Sequence, residues 1–146
     1  MSLNLVGNEG GSKDKIQLKE KGITHILVAA KFYPSQFPDE FVYKSIPLLD
    51  FKTENLLRYL EEAIEFIKQG EKVLVHCQAG VSRSASIALA YLMIEKGMRF
   101  QEALEYLQKR RPVVSPNSGF QVQLKKLDEL LVEDKFDIKK LKEMTI

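Results

Sequence analysis

Val73-Leu74-Val75-His76-Cys77-Gln78-Ala79-Gly80-Val81-Ser82-Arg83-Ser84 is the stretch on which the fold of this 146-residue chain turns. Val73 to Val75 is an unbroken apolar run, and with Lys72 and His76 it reads as a strand covered on both faces. From Ser84 to Lys96 the side chains are Ala, Ile, Leu, Tyr and Met with almost no polar face, so a helix there is largely buried and Gly97 ends it. A buried strand, a tight loop and a buried helix make one strand–loop–helix unit.

Outward from that unit the pattern repeats. On the N-terminal side, residues 7–14 are rich in Gly, Asn and Ser and read as a loop leading into a short helix near Lys15–Glu20. Ile23 to Ala30 reads as a buried strand, Lys31 to Glu40 (with Pro34 and Pro38) as a loop, and Phe41 to Leu49 as a second strand. Leu57, Leu60, Ile64 and Ile67 then form one helical stripe, with Gly70 placed to end it in the left-handed conformation. On the C-terminal side, Gln101 to Arg111 is an amphipathic helix stopped by Pro112, and Ser115-Pro116 has the form of an N-cap with a first-turn proline. The helix it opens carries Phe120, Leu124, Leu127 and Leu131, and Phe136, Ile138 and Leu141 lie in a last short piece. Strands alternating with helices, then helices alone, predict an α/β three-layer sandwich with a central, mostly parallel sheet. In such sheets ligands sit beyond the carboxyl ends of the strands, which directs attention to the end of Lys72–His76.

Composition narrows the function classes. Lys and Arg number 22 against 20 Asp and Glu, a formal charge of +2, far from the excess of a dedicated nucleic-acid binder. The longest apolar run, Ile87 to Ile94, is 8 residues, well short of the ~20 needed to span a bilayer. No signal peptide is visible at the start, and Met1-Ser2-Leu3 carries no weight in this reading. A single cysteine excludes a cystine framework. A cytoplasmic or nuclear protein is expected, with no nucleic acid or membrane among its partners.

The loop after the strand carries the chemistry. Free amides at the start of a buried helix, together with the helix dipole, favour an anion, and a loop folded over that point aims further amides inward. Gly80 permits close approach and a positive φ. Arg83 offers a planar fork to two phosphate oxygens, which a lysine cannot do. Cys77 begins the loop, and a helix N-terminus with an arginine nearby favours its thiolate, a nucleophile for phosphorus.

Cys77 to Arg83 matches C-x5-R, and the longer string matches H-C-x-x-G-x-S-R-S. At these residues the chain resembles the small, atypical-type dual-specificity protein phosphatases of the cysteine-dependent protein tyrosine phosphatase superfamily. Ile46-Pro47-Leu48-Leu49-Asp50 resembles the family's general-acid loop, and Arg111-Pro112 through Pro116-Asn117-Ser118-Gly119-Phe120 its R-P-x-x-x-P-N-x-G-F segment. Gly22 to Leu27 is similar to its early strand. The match spans most of residues 20–131. By this resemblance residues 1–146 form a single phosphatase catalytic domain, with a core at about 20–131 and a peripheral helix or tail at 132–146.

The resemblance implies roles. Cys77 attacks phosphorus and carries a phosphocysteine intermediate, where the alternative is a buried inert thiol. Gln78, Ala79, Gly80, Val81, Ser82 and Arg83 bind the phosphate, and Arg83 also holds the transition state. Asp50 protonates the leaving oxygen and then deprotonates the attacking water. Its alternative is an ordinary loop carboxylate or helix cap, and Asp39 and Glu54 are its rivals. Ser82 is assigned the hydroxyl that eases departure of the cysteine sulfur, and Ser84 is read as a cap. His76 orders the loop by hydrogen bonding; a Cys–His dyad is not expected, because adjacent strand side chains point to opposite faces. Asn117 is expected to hydrogen-bond the phosphate loop, with turn chemistry as the alternative. Lys109-Arg110-Arg111 is read as complementing a helix C-terminus rather than as a substrate patch.

The reading that results is a protein phosphatase acting on phosphotyrosine, and on phosphoserine or phosphothreonine through a shallow pocket, with no cofactor and no metal. Phosphoinositide phosphatases resemble it, but they place lysines where this chain has Gln78, Ala79 and Val81. RNA 5′-triphosphatase relatives carry Asn-Arg-Thr at Ser82-Arg83-Ser84. A phosphopeptide-binding module with little turnover is the reading of a different class, and retention of Cys77, Arg83 and Asp50 argues against it. With no second cysteine, oxidised Cys77 has no internal disulfide to protect it.

Overall fold

The computed structural model describes residues 2–7, 13–31 and 33–144. Among them, four parallel strands form a sheet: β1 (Ser2–Gly7), β2 (His25–Ala29), β3 (Val42–Ile46) and β4 (Lys72–His76), in the spatial order β1-β4-β2-β3. The nucleophile-bearing strand β4 is thus internal, flanked by β1 and β2. Strand β1 is an element that the sequence reading lacked. It pairs with β4 from Ser2↔Lys72 to Gly7↔His76, with a register shift between Leu3 and Leu5. Its run Leu3-Asn4-Leu5-Val6 is too short and too close to a terminus to signal a strand unaided; the pairing with β4 creates it.

Five α-helices complete the fold of the described residues: α1 (Lys15–Glu20), α2 (Leu60–Gln69), α3 (Arg83–Lys96), α4 (Phe100–Arg110) and α5 (Ser118–Val132). Single 3-10 segments lie at Leu57–Tyr59 and Ile138–Glu143. Alternation along the strands divides the core. Leu27, Ala29, Val73, Val75 and Cys77 face the large helical layer, whereas Ile26, Val28 and Leu74 face Leu18 of α1 and Phe41. The second outer layer is thin, built from α1 and the 33–41 loop, but it makes the three-layer sandwich expected. Helix α3 is buried on every side from Ser84 to Met93. Burial of its Ile87, Leu89, Leu92 and Met93 side chains stabilises the fold by roughly 1.5–3 kcal/mol each, and α3 is the hub over which the site is assembled.

Local readings were corrected at three places. Gly70 is extended (φ −92°) rather than left-handed. What it supplies is space, since a Cβ would lie 2.7 Å from Val73 Cγ2 and 2.8 Å from the His25 ring. The cap of α5 is Asn117 and not Ser115: Asn117 Oδ1 accepts from Phe120 N at 2.8 Å. The strand expected over 41–49 closes at Ile46, because Pro47 has no N–H to donate to a ladder. Gly97 does end α3 with φ 69°. The 3-10 segment Ile138–Glu143 packs back, with Leu141 fully buried in the helical core. No helix among the described residues is long and apolar enough to cross a membrane.

Candidate active site

Strand β4 ends at His76, and the chain turns at once into the loop Cys77–Ser82 and then α3. Opposite-facing neighbours follow from the pleat. Cys77 points into the helical layer and is 2% exposed; His76 points the other way, its ring edge-on to Tyr33 at 5.3 Å. His76 Nδ1 lies 3.4 Å from the Cys77 carbonyl oxygen and not at the sulfur, so the two make no dyad.

Among the described residues, two groups meet the Cys77 sulfur. The Gly80 amide donates to Sγ at 3.3 Å, which Gly80 achieves in the left-handed conformation, φ 68°. Ser84 Oγ lies 3.1 Å from Sγ. The hydroxyl at the sulfur is therefore that of Ser84, and the assignment of this place to Ser82 is corrected. The reason is helical geometry: Ser84 lies one position inside the first turn and projects back under the loop. Ser82, also buried, turns its Oγ toward the start of α5, where it accepts from the backbone N–H of Asn117 at 2.9 Å.

Arg83 is half-buried at the start of α3, and its Nη1 donates to the Leu48 carbonyl at 3.4 Å. That contact ties the phosphate loop to the segment after β3, two residues before Asp50. Asp50 is exposed, and its Oδ1 accepts from Asn117 Nδ2 at 3.0 Å. Its rival Glu54 is occupied, accepting from the Leu49 amide at 2.9 Å and the Asn55 amide at 3.1 Å, so it braces the turn that presents Asp50. Asp39 is exposed in the earlier loop, away from the strand end that carries the phosphate loop. Asn117 thus joins three parts of the site: its backbone N–H reaches Ser82, its Nδ2 reaches Asp50, and its Oδ1 caps α5. The expected bond to the phosphate loop comes from the main chain, and the side chain binds Asp50.

Three contributors carry site contacts to which the sequence assigns no role. Arg111, read as a dipole complement, sends Nε to the Gly80 carbonyl at 2.9 Å and Nη2 to the Ala79 carbonyl at 3.0 Å. Its neighbour Arg110 stays on its own helix, donating to the Tyr106 carbonyl and lying 3.6 Å over the Tyr106 ring. Gly119 has no room for a side chain, because a Cβ would overlap the Lys52 backbone. Buried Gln123 accepts from Leu56 N at 2.7 Å and donates to the Glu54 carbonyl at 2.9 Å. The start of α5 is thereby locked to residues 50–57. The one sequence signal for this was an apolar-face position of α5 occupied by a glutamine. A groove of about 520 Å3 lies beside this lock, lined by Lys52, Leu57, Val122 and Met144 among others, and no residue of the phosphate loop lines it.

An internal parallel strand running into a loop that opens with a cysteine, an amide aimed at its sulfur and an arginine at the following helix start have the form of a cysteine-dependent phosphatase site. The family model described as the dual specificity phosphatase catalytic domain matches residues 5–129, and the chain belongs to that family. The match begins in β1 and leaves residues 130–146 outside. Among curated proteins, the chain is 41% identical over 136 residues to dual specificity protein phosphatase 1 of Arabidopsis thaliana, spanning 90% of this chain and 69% of that one. It is 40% identical over 125 residues to dual specificity protein phosphatase 19 of Mus musculus, spanning 83% and 57%. Among solved structures, a point variant of human DUSP28 superposes with a TM-score of 0.83 at 31% identity, covering 90% of this chain and 92% of that one. A human tyrosine phosphatase-like serine/threonine/tyrosine-interacting protein gives a TM-score of 0.79 at 34% identity, covering 88% and 93%.

Proposed function

We propose that this domain hydrolyses phosphotyrosine, and phosphoserine or phosphothreonine, in protein substrates through a phosphocysteine intermediate on Cys77. The observation that carries this reading is the Gly80 amide directed at Cys77 Sγ from a loop that opens onto a helix N-terminus. That arrangement puts a sulfur nucleophile at the base of an anion cradle.

In the first half-reaction Cys77 Sγ attacks phosphorus in line with the leaving oxygen. The S–P bond forms, the P–O bond breaks, and the leaving oxygen takes the proton of Asp50. Arg83 turns from the Leu48 carbonyl to two equatorial oxygens, where charge is spread in the transition state. In the second half-reaction Asp50, now a carboxylate, takes a proton from water as that water attacks phosphorus. The S–P bond breaks and its electron pair returns to sulfur, where the Ser84 hydroxyl and the Gly80 amide meet the charge. Gln78 and Ala79 are exposed at the lip of the loop and Val81 is half-buried, and none of the three carries charge, in keeping with a monoester rather than a polyphosphorylated headgroup. We place the protein in the cytoplasm or nucleus, where thiols are kept reduced, as a cysteine nucleophile requires.

The test is phosphate release in the presence of chelator from a phosphotyrosine peptide, a phosphothreonine peptide, a phosphoinositide and a 5′-triphosphate RNA, with Cys77→Ser as the blank. Release from the peptides, absent in the mutant, is the expected result. Release from lipid or RNA alone overturns the substrate class, and retention of phosphopeptide without release makes the domain a binding module.

A further inference from the structure

We infer that Arg111, outside the phosphate loop, is a positioning residue that sets the direction of the loop's amides and thereby its affinity for the phosphoryl group. The inference rests on the phosphatase reading for its kinetic arm, but its oxyanion-binding arm does not.

In a trans peptide the C=O of one residue and the N–H of the next point in opposite directions. Fixing a carbonyl therefore fixes the amide that follows it. The Ala79 carbonyl is held by Arg111 Nη2 and the Gly80 carbonyl by Arg111 Nε, at 3.0 and 2.9 Å. The Val81 carbonyl is held by the Ser115 amide at 2.8 Å. Three successive carbonyls are thus drawn to one side by the 111–115 segment, and the amides of Gly80, Val81 and Ser82 are turned to the other. The Gly80 amide bears this out, since it donates to Cys77 Sγ on the far side of the loop from Arg111.

A loop of successive amides facing one way is unfavourable by itself, because its N–H dipoles repel one another and its carbonyls crowd on the back. A guanidinium placed against those carbonyls relieves the crowding with two charge-assisted bonds. Its fork matches two oxygens on adjacent residues, which a lysine ammonium does not. The charge also adds to the positive potential in front of the loop. Arg111 therefore acts through the loop, by contacts with the protein and not with a substrate side chain.

The experiment compares the wild-type domain with Arg111→Met and Arg111→Lys. Orthovanadate affinity is read by inhibition and, independently of turnover, by binding of inorganic tungstate in calorimetry. Values of kcat and KM are read with a small aryl phosphate, a neutral phosphopeptide and an acidic phosphopeptide, and Tm is read by thermal scan. Loss of orientation equivalent to one charge-assisted bond corresponds to roughly a 10- to 100-fold effect. The expected result is a loss of that size in oxyanion affinity for Arg111→Met, an equal proportional loss in kcat/KM on all three substrates, and partial retention in Arg111→Lys. Added guanidinium restores part of the Arg111→Met activity. Loss confined to the acidic phosphopeptide would make Arg111 a substrate contact and overturn the inference. So would a lower Tm with unchanged oxyanion affinity, or Arg111→Lys equal to wild type, which would leave charge alone as the cause. Absence of turnover in the wild type, with oxyanion binding still dependent on Arg111, would overturn the catalytic reading and leave this one standing.

Discussion

Asn117 donates its side-chain N–H to Asp50 Oδ1 at 3.0 Å, across 67 residues of sequence. The same side chain caps α5 through its oxygen, and the same residue's main chain binds Ser82 beside the phosphate loop. One residue therefore sets Asp50, the proposed acid, and the phosphate loop in a common frame. In the proposed mechanism the position of that proton donor relative to the nucleophile is worth orders of magnitude in rate, which gives this frame a role beyond capping.

Substitution of Asn117 separates its two side-chain duties. Asn117→Ser keeps a capping oxygen but is too short to reach Asp50. Its stability should stay within a few tenths of a kcal/mol of wild type, whereas Asn117→Ala should lose about 1 kcal/mol. Both should show a kcat that depends more steeply on the leaving group across a series of aryl phosphates. A flat series in Asn117→Ser would dissociate the Asp50 contact from acid catalysis.

Removing the acid itself gives a sharper pattern. Asp50→Asn should lower turnover on poor leaving groups by about 10²- to 10⁴-fold, the range of general acid catalysis, and only mildly on aryl phosphates with good leaving groups. Asp50 is exposed and caps no helix, so its Tm should hardly move. Equal losses on both kinds of substrate would assign Asp50 a structural role.

Asp128 predicts a pH dependence of stability outside the site. The Arg99 guanidinium, bonded to both its oxygens, and the Phe100 amide at 3.0 Å hold its carboxyl below the usual aspartate value, despite partial burial. A carboxylate with a lowered folded-state pKa stabilises the fold above its unfolded pKa, and that contribution is lost as pH falls through the folded value. Asp128→Asn should therefore cost about 1 kcal/mol at neutral pH and progressively less below pH ~4. Denaturant titration of both proteins at pH 7 and pH 3 checks this; a difference that grows toward low pH contradicts it.

How far the sequence carried these conclusions depended on the range of the interaction concerned. Strand β4, helix α3 and the loop between them are written in contiguous residues, and the sandwich follows from them. Gly80 and Arg83 stand in that same stretch, so their places could be read directly. Strand β1 could not, because it exists through pairing with residues 69 or 70 positions away. Arg111 was misjudged for a similar reason, since a guanidinium after a helix C-terminus reads as a dipole partner until the loop it reaches is placed beside it. Ser82 and Ser84 are two positions apart, and which hydroxyl faces the sulfur depends on where the first helical turn begins. In that phase Ser82 Oγ accepts from the Asn117 amide, a contact across 35 residues that no local pattern contains.

Gly119 gives a test of the lock between α5 and the acid segment. A Cβ at this residue would overlap the Lys52 carbonyl and come within 2.7 Å of Lys52 Cα, both backbone atoms that cannot swing aside. Gly119→Ala should destabilise the domain by about 1–3 kcal/mol, although alanine is the better helix former. It should also reduce kcat on poor leaving groups, because displacing Lys52 displaces Asp50. Gain of stability would mean that the two segments separate freely.

Ser84 divides the reaction at the intermediate. Its hydroxyl is buried and lies 3.1 Å from Cys77 Sγ, where it can donate to the charge returning to sulfur. Formation of phosphocysteine consumes that charge, whereas its hydrolysis regenerates it, so loss of the hydroxyl should weigh on the second step. Ser84→Ala should therefore release aryl alcohol in a rapid burst close to one equivalent, followed by a steady state about 10- to 100-fold slower than wild type. Ser82→Ala should show no burst, since its hydroxyl accepts from Asn117 and does not touch the sulfur. Rapid-mixing kinetics on a good aryl phosphate separate the two variants. A burst in Ser82→Ala with none in Ser84→Ala would restore the sulfur-facing role to Ser82 and require α3 to begin in a different phase.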